Sequence, residues 1–135
     1  MREEFSRLVI RLVLAALASA CAGVAAQGFD ARLAQAAELR RAGQTQQALA
    51  LLDSTTRLAQ GPQQRMQAAA ELGLTLAQAR RLDEARAELM RAHELAQGPQ
   101  RAAYALELGN LALKAHDDAA AAGWWNQAAS TDEAQ

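Results

Sequence analysis

From about residue 30 onward, apolar and small residues recur three and four positions apart, which is the spacing of one face of an α-helix. Ala69, Leu72, Gly73 and Leu76 form one such stripe. The pattern breaks at Arg80-Arg81-Leu82, and Ala85, Leu89 and Ala92 then mark a second stripe. Asp83 stands where a side-chain carboxylate caps the free amides of that second helix. Gly98-Pro99 closes one helix and opens the next, because glycine suits a helix end and proline a first turn; Gly61-Pro62 does the same earlier. No stretch alternates with a period of two, so the pattern predicts helices joined in pairs.

The pattern also repeats. Leu58-Ala59-Gln60-Gly61-Pro62-Gln63 returns as Leu95-Ala96-Gln97-Gly98-Pro99-Gln100, and Glu71-Leu72-Gly73 returns as Glu107-Leu108-Gly109, with Gln64 as a one-residue insertion between the two shifts. Ala48, Leu52 and Thr55 align with Ala85, Leu89 and Ala92, and again with Ala121, Trp125 and Ala128. Gly73 and Gly109 fall inside predicted helices, where glycine costs about 1 kcal/mol relative to alanine. Their recurrence at one place in two units implies that the partner helix packs too close there for a side chain.

These residues carry a resemblance. The period, the Leu72-Gly73 and Leu108-Gly109 pairs, the turn at Gly43, Arg80 and His116, the small Ala48, Ala85 and Ala121, and the large Leu52, Leu89 and Trp125 together resemble the tetratricopeptide repeat. The units are slightly longer than that family's, and Ala36 replaces the glycine in the first. The resemblance implies an all-α fold of three tandem helix-turn-helix repeats over residues 27–130, forming a short right-handed solenoid, with a polar tail at 131–135. It also implies that the first helices line an inner groove, through Leu33, Ala37, Ala70, Leu74, Ala77, Leu106, Asn110 and Leu113. The carboxylate clamp of some relatives is absent, since Glu71 and Glu107 fall among its places. An apolar peptide or an amphipathic helix is the expected partner.

The first 26 residues have a different pattern. Arg2, Arg7 and Arg11 precede an uncharged stretch whose strongly apolar part, Leu12 to Ala20, is far short of the roughly 20 residues that span a bilayer. This is the layout of a secretory signal peptide, which predicts an exported, periplasmic protein. Val24-Ala25-Ala26 suits ordinary cleavage before Gln27. Ala18-Ser19-Ala20-Cys21 resembles a lipoprotein box, with lipidation at Cys21 and a membrane-anchored product as the alternative. The lone cysteine has no partner for an intrachain disulfide.

Composition adds exclusions. After residue 26, eleven Lys/Arg face thirteen Asp/Glu without a block of one sign, so the basic face needed for nucleic acid is missing. His93 and His116 lack metal-ligand spacing, and His93 beside Glu94 is expected to be exposed. Ser54 and Ser130 have no base in sight, and Asp83-Glu84 and Asp117-Asp118 sit at helix starts, where carboxylates favour the helix dipole. No enzyme activity, metal or cofactor is expected. Trp125 takes a core place in the repeat, whereas Trp124 does not, which marks Trp124 as an exposed interface residue for docking or for self-association through the last helix. Two functional readings follow: an envelope adaptor that binds a client protein, or the repeat scaffold of a larger exported protein whose effector domain lies elsewhere.

Overall fold

The computed structural model describes residues 28–133; the expected signal segment and Cys21 lie outside these. The described residues form six helices and no strand: α1 Phe29–Arg41, α2 Thr45–Thr56, α3 Gly61–Gln78, α4 Leu82–Leu95, α5 Gly98–Lys114 and α6 Asp118–Glu133. Each odd-numbered helix packs on the one that follows it, and the hairpins stack on each other through α2–α3, α4–α5 and α1–α3. The fold is all-helical, with the packing of a helical repeat. The inserted Gln64 is absorbed by α3, which has 18 residues where α5 has 17. The last helix runs on to Glu133, into the stretch expected to be a polar tail. None of these helices is long and apolar enough to cross a membrane.

The three hairpin turns are built alike. The amides of Gln44, Arg81 and Asp117 each donate to a carbonyl five residues back, on Leu39, Leu76 and Ala112. This closure needs a left-handed residue one position earlier. Gly43 supplies it freely at φ 78°, but Arg80 at 65° and His116 at 61° hold it against the roughly 1–2 kcal/mol cost of placing a Cβ there. The second helices begin differently from expectation. Asp83 makes no cap bond; α4 starts with Arg81 paired to Glu84. In the third hairpin Asp117 does cap, its Oδ1 accepting from the Ala120 amide at 3.0 Å.

The core is a run of small and medium side chains. Ala36, Ala48, Leu52, Ala85, Leu89, Ala92 and Ala121 are essentially sealed from solvent. The repeated glycines close the hairpins. A Cβ on Gly73 would lie 2.8 Å from Leu89 Cγ and 3.2 Å from the Ala85 carbonyl oxygen, and a Cβ on Gly109 would fall inside the Trp125 indole. Two buried threonines satisfy their own hydroxyls, Thr55 on the Leu51 carbonyl and Thr75 on that of Glu71, each at 2.7 Å.

Gly73→Ala tests the close approach. In an open helix it would stabilise by about 1 kcal/mol. Here it must displace the branch point of a buried leucine, at a cost of about 1–3 kcal/mol. The net effect is a melting temperature lowered by about 4–8 °C, read by thermal circular dichroism; an increase would show that α3 and α4 are not in this contact.

Candidate functional site

Equivalent positions in the three hairpins carry different side chains, and those differences shape the surface. Arg40 near the end of α1 donates from Nε to Glu71 Oε1 on α3 at 2.6 Å, both groups partly buried, while the Gln78 amide donates to the Arg40 carbonyl at 3.1 Å. One unit on, the place of Arg40 is taken by Ala77 and that of Glu71 by Glu107. Among the described residues, no side-chain hydrogen bond or salt bridge joins α3 to α5 there. A cavity of about 230 Å³ lies between them, with Leu74, Ala77, Leu89 and Leu111 as apolar walls and Arg40, Gln78, Glu107, Asn110 and Lys114 as polar ones. Glu107 forms no salt bridge with any described residue.

Of the eight residues expected in the groove, only Leu74, Ala77 and Asn110 line this cavity. Leu33 and Ala37 are half-buried on α1, and Ala70 is buried in the cluster of Met66, Ala69, Ala92 and Ala96 against which Tyr104 packs. Leu106 and Leu113 are exposed at 48% and 49%. The lining of this cavity is therefore more polar than the groove that was expected. Arg40, Gln78 and Lys114 also line the cavity and were missed, because the spacing of apolar residues gives no sign of where long polar side chains lie. Glu71, one of the acidic residues at the places of the clamp, is paired with Arg40.

The two tryptophans depart in part from the exposures expected of them. Trp125 rests on Gly109 but remains 37% exposed. Its equivalents Leu52 and Leu89 are buried, and Leu89 also borders the cavity beside α5; nothing described lies at the matching place beyond Trp125. Trp124, expected to be exposed, is half-buried and packs against the cluster of Leu76, Leu89, Leu108 and Leu111. It fills a seam between successive second helices. Between α2 and α4 that seam is an open groove of about 370 Å³, bordered by Leu49, Asp53, Leu72, Leu76 and Glu88. Between α4 and α6 only about 60 Å³ is left, because Trp124 stands where the earlier unit has Glu88. A position that is polar in one unit and aromatic in the next gives no repeat signal, so the sequence pattern could not place it.

His93 on α4 is also corrected from exposed to buried, at 6%. Its ring meets Trp124 edge to face, with centroids 5.3 Å apart and an interplanar angle of 77°. Its Nε2 has no hydrogen-bond partner among the described residues. Burial, and then the charge of Arg101, hold its pKa below the ordinary histidine value, with Glu94 opposing. Among the described residues, no three His, Cys, Asp or Glu side chains gather as a metal ion would need.

No family model matches the chain, and neither a curated protein nor a solved structure gives a match.

The depressed pKa of His93 makes stability pH-dependent in a known direction. The unfolded chain takes up the proton more readily, so the stabilisation is complete above about pH 6.5 and is lost as pH falls through the lower folded value. Denaturant melts should show a midpoint that drops between pH 7 and pH 5. In His93→Leu that slope should largely vanish. A slope unchanged in the variant would assign the titration to another group.

Proposed function

We propose that this protein is a tetratricopeptide-type interaction module, an exported adaptor that acts by holding a segment of another protein on its inner face and not by catalysis. The observation that carries the reading is the cavity between α3 and α5, with apolar walls of Leu74, Ala77, Leu89 and Leu111 and hydrogen-bonding groups on Gln78 and Asn110. Its volume is below the roughly 300–1,000 Å³ of pockets that enclose whole small molecules, and suits one side chain of a peptide lying along the groove. Side-chain amides at its edge can pair with a peptide backbone while the walls bury an apolar stem. Support for the repeat type comes from the three left-handed turns at Gly43, Arg80 and His116 and from the paired glycine contacts. Export rests on residues 1–26, with Cys21 as the lipid-anchor alternative.

The test is selection of peptides from a random library, followed by an NMR titration of the labelled protein. Shift changes should centre on Leu74, Ala77, Gln78, Asn110 and Leu111, with micromolar affinity as befits a small interface. Asn110→Ala should weaken binding about 5- to 10-fold, the loss of one hydrogen bond. Perturbations confined to α2 and α6 would refute the inner-face reading.

Self-association is the second reading, and it moves from Trp124 to the open end formed by α5 and α6. Leu106, Leu113 and Trp125 are exposed there, where the preceding unit has the buried Ala70, Ala77 and Leu89. A second copy presents the same apolar face, so the two meet about a two-fold axis. Helices of this length, about 25 Å, side by side offer about 500 Å² per copy, or about 1,000 Å² in all. That is the lower bound for a specific interface, so the dimer is weak, with a dissociation constant in the micromolar range. Sedimentation equilibrium should detect it, and Leu106→Glu with Leu113→Glu should abolish it while leaving the helical spectrum intact. A protein monomeric at about millimolar concentration would remove this reading.

A further inference from the structure

The cavity's shape and charge narrow what can enter it. Across the first interface between first helices, a guanidinium from α1 reaches a carboxylate on α3, as Arg40 Nε donates to Glu71. Across the second, the carboxylate is retained as Glu107, but the arginine's place holds Ala77. The cavity is the space that such an arginine side chain would fill. Glu107 lies in its wall, partly withdrawn from water, with no salt bridge to any described residue. Two cations border the same space, and neither answers Glu107. Arg40 is committed to Glu71. Lys114 lies seven residues further along α5, about 10 Å along the axis, and is exposed.

We propose that the cavity receives a basic side chain of the guanidinium class from a partner polypeptide, which pairs with Glu107 as Arg40 pairs with Glu71. The proposal rests on the inner-face reading above and names the chemistry of the ligand. Leu74, Leu89 and Leu111 would cover the methylene stem of the incoming side chain, since such stems bury readily while their heads stay polar. The side-chain carbonyls of Gln78 and Asn110 can accept from guanidinium N–H groups left over by Glu107. A guanidinium presents five donors in a planar fork and an ammonium three on a point charge, so arginine is favoured over lysine. The acidic groups of the outer groove offer no such site: Asp53, Glu84 and Glu88 each already face an arginine, Arg57, Arg81 and Arg91.

The probe is a short acetylated and amidated peptide of alanine and leucine with one central arginine, compared with the same peptide carrying neutral, isosteric citrulline. Fluorescence anisotropy should show the arginine peptide binding at least about fivefold more tightly at low salt, a preference that shrinks as salt rises. Glu107→Gln should bring the two peptides to equal affinity. Ala77→Arg should fill the cavity from within, raise the melting temperature and abolish binding of both peptides, and the gain in melting temperature should disappear when Glu107→Gln is added. Equal affinity in the unaltered protein, or a preference that survives Glu107→Gln, overturns the proposal and leaves the inner face a binding site of another chemistry. Absence of binding by either peptide at millimolar concentration overturns the inner-face reading with it.

Discussion

The fold depends on a large side chain of each second helix resting against a position of the first helix that has little or no side chain. Leu89 rests on Gly73, Trp125 on Gly109, and in the first hairpin Leu52 and Ala36 are both sealed from solvent. Glycine inside a helix lowers helix stability by about 1 kcal/mol, while burying a leucine returns about 1.5–3 kcal/mol. The contact therefore favours the paired state over either helix alone. It also sets the distance between the helices, and with it the path of the turn, where three left-handed residues close in the same hydrogen-bond pattern. Once the hairpins are fixed, only side-chain size remains to decide what lies between them.

That decision is made at two sets of equivalent positions. On the inner side, Arg40, Ala77 and Leu113 succeed one another: the first bridges to the next unit, the second leaves a cavity, and the third lies exposed at the end of the array. On the outer side, Glu88 leaves a groove open and Trp124 nearly closes the next one. A strictly regular repeat would have the same surface in each unit and no distinctive place for a ligand. Irregularity at positions outside the glycine contacts is what distinguishes one unit's surface from the next: Ala77 leaves a cavity where Arg40 bridges, and Trp124 packs on the core where the earlier unit has Glu88.

The same distinction explains what the sequence revealed. Helix pairs, their turns and the glycine contacts were legible because they depend on apolar periodicity and on residues that recur at a fixed spacing. Gly73 and Gly109 could be assigned a packing role from recurrence alone, and a Cβ at either would clash as that role requires. The lining of the cavity was legible only in part: Leu74, Ala77 and Asn110 were among the residues expected in a groove, while Arg40, Gln78 and Lys114, which line it too, were not. Long polar side chains reach several ångströms from their backbone, so their position follows from what they pair with across the interface, and that is not written in local spacing. Trp124 and His93 were misplaced for a related reason. Each is buried by the other, one from α4 and one from α6, and neither has a counterpart of its kind in the earlier unit.

The His93–Trp124 contact shows why the array's two faces should behave differently. A neutral imidazole with an unpartnered Nε2 is buried there against an indole, an arrangement that resists protonation and contributes packing at the seam between α4 and α6. Trp124 thus joins units on that face. The cavity between α3 and α5 is open to solvent, so its polar walls are not sealed away and the absence of an arginine there costs the fold little. On the proposed reading, stability rests on the seam between α4 and α6 and recognition on the cavity between α3 and α5. A change on the outer seam should alter how firmly the units hold together, and a change at Ala77 or Glu107 should alter what they hold.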